Sequence, residues 1–78
     1  MSNLKKYNDC YVQSFQISED QLHSLTYQSI AAWDSVGHMN LIAALEETFE
    51  IMIDTDDIID LSSYEKGKEI LKKYDIVI

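Results

Sequence analysis

No proline and only two glycines, Gly37 and Gly67, interrupt the 78 residues of this chain. Sandwiches and barrels of β-strands need frequent tight turns, and glycine and proline supply them. The sequence therefore points to an all-α fold. No repeat or low-complexity segment divides it, so residues 1–78 are read as a single domain. A domain of this size buries only about 60% of its unfolded surface. Its core must be thin, and a deep substrate cavity is hard to fit beside it. That weighs against an independent enzyme.

Hydrophobic spacing places the helices. Leu4, Tyr7, Tyr11 and Phe15 recur at steps of three and four, which predicts a first helix over about 3–14 with these four on one face. A long connection follows, up to residue 34. Structureless loops of that length are rare in compact domains. Ser18 and Gln21 have capping-box spacing, so a helical turn is expected there. Ile17, Leu22, Leu25 and Ile30 would pin the connection to the core.

A second helix is expected over 35–49, with Asp34 as its N-cap. Ile51-Met52-Ile53 reads as an extended link. A short third helix fits 55–60 behind a capping Asp54, with Ile58, Ile59 and Leu61 as core contacts. A fourth fits 63–74, opened by a capping box of Ser62 and Glu65 and supported by Glu69 and Lys73 at i,i+4. The sum is an up-and-down four-helix bundle with a long first loop and a minor third helix.

The net charge is −8, from 14 acidic residues against 6 basic ones. Phosphate backbones and anionic membrane surfaces are recognised by clustered Lys and Arg, so neither nucleic acid nor membrane is an expected partner. A basic protein surface is the natural complement. Glu46, Glu47, Glu50, Asp54, Asp56, Asp57 and Asp60 form an acidic run with no Lys or Arg inside it, so mutual repulsion is expected to dominate there. The lone cysteine, Cys10, allows no internal disulfide, and no secretory leader or bilayer-length apolar run is evident. A cytoplasmic monomer is the expectation. Cys10 lacks a basic neighbour and reads as a structural thiol.

The densest information lies in Trp33-Asp34-Ser35-Val36-Gly37-His38 and the helix that follows. At 100° per residue its apolar positions form two stripes rather than one. Leu41, Ile42, Leu45 and Phe49 share a core face, with His38 beside them. Val36, Met39 and Ala43 lie opposite, flanked by Asn40, Glu46 and Glu47. Scattered surface apolar residues would look the same. Yet an apolar patch rimmed by acids beside Ser35 also reads as a docking surface. Ser35 itself reads as a first-turn residue or an alternative N-cap. A phosphate ester on it would meet free N–H groups and the positive end of the helix dipole. Asp34 would repel that phosphate, so its use would lie with a modifying enzyme, as a ligand for the metal that handles the donor's phosphates.

The run Asp34-Ser35-Val36, followed by Leu41-Ile42-Ala43-Ala44-Leu45-Glu46-Glu47 and Phe49, resembles the acyl carrier protein family. The resemblance continues through Ile51 and Ile53, Asp57-Ile58 and Ser63-Tyr64, and covers about 33–74. It implies the acyl-carrier four-helix bundle and a covalent 4′-phosphopantetheine, derived from coenzyme A, on Ser35. It implies no catalytic activity of the chain's own. It also implies partners: a phosphopantetheinyl transferase, and a ligase, acyltransferase or synthase that loads acyl or aminoacyl groups and carries a basic docking surface. Val36, Met39, Ala43, Glu46 and Glu47 would meet that surface. The wording around Trp33 is similar to stand-alone and peptidyl carriers. Gly37 and Asn40 depart from the fatty-acid pattern, and Glu50 stands where many members have glycine. The alternative is an unmodified acidic helical module for protein interaction.

Sharper sites fail on their own chemistry. Asp54, Asp56 and Glu65 have partial EF-hand spacing, but Ile58 and Ile59 occupy a ligand position and the obligatory glycine. Ser35 and His38 lack elbow glycines and an orienting third group, so they do not read as a nucleophile and its base. His38 reads as a packing or surface residue, and Trp33 as a loop anchor. His23 and His38 are too isolated to suggest a metal site.

Overall fold

A computed structural model describes residues 2–78. Its elements are α1 (Asn3–Phe15), a short 3₁₀ turn (Glu19–Gln21), α2 (Ser35–Phe49), α3 (Thr55–Asp60) and α4 (Tyr64–Lys72). The described residues contain no strand; Thr26 and Ser63 form one isolated antiparallel bridge. The fold is thus all-α, with a long first connection and a minor third helix, as the periodicity predicts.

Each helix starts where local chemistry satisfies its first amides. The Ser2 hydroxyl accepts from the Lys5 N–H and caps α1. Asp34 caps α2 through Gly37, and Ser63 caps α4 by accepting from the Lys66 N–H at 3.0 Å. The expected cap at Ser62 is therefore one residue early. The Ser62 carbonyl accepts from the Tyr27 N–H, which keeps the backbone extended through the bridge before α4 can begin. Asp54 takes the N-cap position of α3, but its side chain makes no capping bond. Ser18 and Gln21 meet as expected, with the Ser18 N–H donating to Gln21 Oε1.

The core gathers Tyr7, Cys10, Tyr11 and Phe15 of α1 with Leu41, Ile42 and Leu45 of α2. Leu22, Leu25 and Trp33 come from the connection, and Tyr64, Ile70 and Leu71 from α4. Four sequence-based placements change. Leu4 is exposed because α1 starts a turn before the core does, and Cys10 fills the stripe instead. Phe49 is only partly buried, at the end of α2, and Ile59 stands 73% exposed on the outer face of α3. Lys73 does not pair with Glu69. It lies just past the end of α4 and reaches Asp57.

Gly67 lets α4 close on α1. A Cβ there would sit 2.1 Å from Tyr7 Oη and 2.9 Å from Tyr11 Oη. Tyr7 Oη donates to the Tyr64 carbonyl at 2.6 Å, so it accepts from Tyr11 Oη at 2.8 Å. Burial pushes both phenols above their ordinary range, which keeps them neutral donors. Glu50 ends α2 in the left-handed region at φ 55°, a conformation that costs a side-chain-bearing residue roughly 1 kcal/mol relative to glycine.

Asp57 is the one buried charged residue among those described. It accepts from Lys73 Nζ and from Tyr74 Oη at 2.6 Å. The Tyr74 hydroxyl in turn accepts from the Asp54 N–H, so one cluster fixes α3 to the segment after α4. The most buried member of the acidic run is thus paired, by a lysine outside the run.

Two outcomes test this packing. Leu45→Ala should cost about 2–5 kcal/mol through lost transfer energy and a cavity, whereas Val36→Ala should cost less than about 0.5 kcal/mol. Chemical denaturation measures both, and equal losses would mean that α2 is rotated from the orientation described. Hydrogen bonds from Lys73 and Tyr74 lower the Asp57 pKa. A carboxylate depressed on folding stabilises the fold above its unfolded value, near pH 4, and that stability is lost as pH falls through the folded value. Asp57→Asn should therefore flatten the acid limb of the stability–pH curve. An unchanged limb would show that Asp57 is not what links acid to unfolding.

Candidate functional site

The site is built around the first turn of α2. Asp34 Oδ1 accepts from the Gly37 N–H at 2.8 Å, and the Asp34 carbonyl accepts from the His38 N–H at 2.7 Å. Both are N-cap bonds. They leave Ser35 as the first helical residue, exposed, where backbone N–H groups have no intrahelical partner. Gly37 is required by closeness rather than by dihedral freedom. A Cβ at Gly37 would lie 1.9 Å from the Ala32 carbonyl oxygen, so α2 begins pressed against the chain that leads into it.

Trp33 is fully buried two residues before Ser35. Phe15 stacks on it at 5.2 Å, and Tyr11 meets it edge-on at 5.8 Å. Its Nε1–H donates to His38 Nδ1 at 2.9 Å. An indole nitrogen can only donate, so Nδ1 must accept and the imidazole proton sits on Nε2. That Nε2–H donates to the Ile58 carbonyl at 2.7 Å. His38 thus ties the connection, α2 and α3 together. Both of its nitrogens are occupied, so neither faces Ser35 as a base. This supplies a geometric reason for rejecting a Ser35–His38 pair.

Across from Ser35 stands Tyr27, whose Oη lies 3.4 Å from Ser35 Oγ. Its ring meets those of His38 and Trp33 at 77° and 90°. Tyr27, His38, Ile58, Ile59, Leu61 and Ser62 line an open, largely apolar groove of about 280 Å³, and Tyr27 joins that groove to the serine hydroxyl. Sequence reasoning did not single out Tyr27. Its partnership with Ser35 depends on how the connection folds back, which no periodicity encodes.

A larger hollow, about 360 Å³, runs along the seam of α1 and α2 and includes Cys10, Ala44 and Thr48. Ala44 is nine positions beyond Ser35, about 13 Å along the helix axis. Cys10 there is buried and its thiol donates to Thr48 Oγ1 at 3.4 Å. Burial pushes that thiol up, away from the reactive thiolate. No group of three or more metal-ligating side chains is present among the described residues.

Comparison with protein-family models, curated proteins and solved structures finds no match.

The structure sorts the expected docking residues into two kinds. Val36 is 70% exposed and Met39 52%, on the face of α2 away from Leu41, Ile42 and Leu45. Ala43 and Glu47 are exposed as well. Glu46 differs. It is partly buried, and its Oε2 accepts from the Ile53 N–H at 2.9 Å, clamping the link after α2. The pair read together from sequence therefore has one member already engaged in the fold. Glu46→Ala should cost about 0.5–1.5 kcal/mol by orphaning that N–H, and Glu47→Ala should stay within about 0.5 kcal/mol. Urea denaturation of the two single variants would reject this division if they lost stability equally.

Proposed function

We propose that this chain is a carrier of the acyl carrier protein type, with Ser35 as the attachment point of 4′-phosphopantetheine. The observation that carries the reading is the placement of Ser35: an exposed hydroxyl at the first position of α2, beside a largely apolar groove, on a turn held by Asp34, Gly37 and buried Trp33. The four helices, the long first connection and the minor third helix fit what the sequence resemblance implies.

The residues present suit the group. Attachment needs a hydroxyl that an enzyme can reach, and Ser35 offers one. The serine oxygen would form a bond to the phosphorus next to the pantetheine arm of coenzyme A. The bond to the outgoing adenosine bisphosphate breaks, and the serine proton leaves to a base on the transferase. The bound arm supplies a thiol that holds acyl or aminoacyl groups as thioesters. The protein contributes position and partial shelter. First-turn amides at the positive end of the helix dipole favour the phosphodiester. Asp34 opposes it electrostatically, consistent with a role for Asp34 in the fold and toward the modifying enzyme.

Val36, Met39, Ala43 and Glu47 give that enzyme, and the enzymes that load the arm, an apolar patch with acidic charge beside it. With a net charge of −8, association with a basic surface should be fast and salt-sensitive. Neither ring nitrogen of His38 is free to activate Ser35, which supports a carrier rather than an enzyme. No helix among the described residues is long and apolar enough to cross a membrane. An unmodified interaction module would use the same patch and is separated from the carrier by mass alone.

Wild-type protein exposed to a phosphopantetheinyl transferase and coenzyme A should gain the mass of one phosphopantetheinyl unit. Ser35→Ala should fold and gain none, and Glu47→Lys should slow the gain. An unmodified wild type, or an adduct mapped to another residue, would overturn the assignment.

A further inference from the structure

In the connection between α1 and α2, Tyr27 and both of its chain neighbours are held by hydrogen bonds. The Tyr27 N–H donates to the Ser62 carbonyl at 2.8 Å. On one side of it, the Thr26 N–H donates to Ser29 Oγ, and the Ser29 hydroxyl donates back to the Thr26 carbonyl. On the other side, Gln28 sits in the left-handed region at φ 67° and donates its N–H to the Trp33 carbonyl at 3.0 Å. The second bond of the same bridge, from the Tyr64 N–H to the Leu25 carbonyl at 3.0 Å, adds a further tie. A non-glycine residue held left-handed is strained, and such strain persists only where surrounding contacts over-determine it.

Those contacts fix where the Tyr27 ring stands. It forms one wall of the groove, and its hydroxyl lies 3.4 Å from Ser35 Oγ. The ring packs edge-on against Trp33 and His38, yet Tyr27 remains 37% exposed and its Oη bonds only loosely to Ser35, so the hydroxyl has capacity to spare. Tyr11 and Phe15 also pack on Trp33.

We propose that Tyr27 is a positioning residue for the group carried on Ser35: its hydroxyl donates to the phosphodiester, and its ring directs the arm along the groove toward Ile58 and Leu61. This rests on the carrier reading and adds to it a specific hydrogen-bond donor. The chemistry follows from the geometry. An oxygen 3.4 Å from Ser35 Oγ lies within reach of the non-bridging oxygens of a phosphorus bonded to Oγ. A phosphodiester carries only acceptors there, and a phenol donates to an anionic acceptor more strongly than to another hydroxyl. Among the described residues no basic side chain bonds to Ser35, so this neutral donor and the first-turn amides that Asp34 leaves free do what a lysine or arginine would otherwise do.

The test is ³¹P NMR of the modified protein, wild type against Tyr27→Phe, with mass spectrometry of each. Phenylalanine keeps the ring and the groove wall, so the variant should fold with an unchanged melting temperature before modification and take up the same mass. The wild-type phosphodiester resonance should be shifted from that of free phosphopantetheine, and Tyr27→Phe should abolish most of that shift. Tyr27→Ala, which also removes the wall, should in addition increase hydrogen exchange or mobility of the arm. Identical resonances in modified wild type and Tyr27→Phe would overturn the role of Tyr27 and leave the carrier reading standing. Failure of wild type to gain any mass would overturn both.

Discussion

The arrangement depends on one hydrogen-bonded relay through an imidazole. Trp33 donates to His38, and His38 donates to the Ile58 carbonyl. Three segments with no continuous secondary structure between them, the long connection, α2 and α3, are joined by two bonds and one ring. Because the indole has only a donor, the direction of the relay is fixed, and so is the tautomer. The stacked planes of Trp33 and His38, 15° apart, hold the ring in place while the bonds orient it. Replacing His38 by an apolar residue of similar size would leave two polar groups unpaired, the buried indole N–H among them. The residues on either side of Ser35 inherit their positions from this relay: Trp33 anchors the approach, and His38 lies one turn further along α2.

Charge plays two separate parts. Asp57 and Glu46 belong to the acidic run, yet each accepts specific hydrogen bonds that hold an element: α3 to the chain end, and the link after α2 to α2 itself. Glu47, Asp54, Asp56 and Asp60 are exposed, and none of them appears in an ion pair among the described residues. Repulsion among exposed carboxylates is screened by solvent and weak per pair. The fold therefore tolerates a large net charge because its buried carboxylate is satisfied individually. The remainder is left as a long-range field, suited to steering a basic partner.

Much of this is legible in the sequence. Strong local signals carried it. Asp34 before an apolar helix, and the two stripes of that helix, place α2 to the residue, because cap chemistry and 100° periodicity act within a few positions. What escaped were features set across the chain. Lys73 stands where helix spacing offers it Glu69, but Asp57, 16 residues away, is buried and needs a cation more. The cap of α4 shifts from Ser62 to Ser63 because of a bridge to Thr26, far upstream. Leu4 and Ile59 have the right periodicity but lie outside the buried core, Leu4 at the start of α1 and Ile59 on the open side of α3. Tyr27 carries no sequence signal at all, since its relation to Ser35 passes through a loop whose left-handed Gln28 is not a residue that announces such a turn.

The two walls of the groove beside Ser35 differ in what holds them. One wall, Tyr27 and His38, is tied to Trp33 and to α2, which contribute fully buried side chains to the core. The other, Ile58 and Ile59, belongs to a six-residue helix whose single buried residue is Asp57. A helix that short has no stability of its own in water. It persists through bonds made by others: His38 on the Ile58 carbonyl, Lys73 and Tyr74 on Asp57, and Tyr74 on the Asp54 N–H. Elements with few buried apolar contacts sit at the low end of local stability. The wall next to Ser35 is therefore the rigid one, and the far wall is held by a handful of polar bonds. The hollow thus has one side fixed by buried aromatic packing and one side fixed by polar bonds alone.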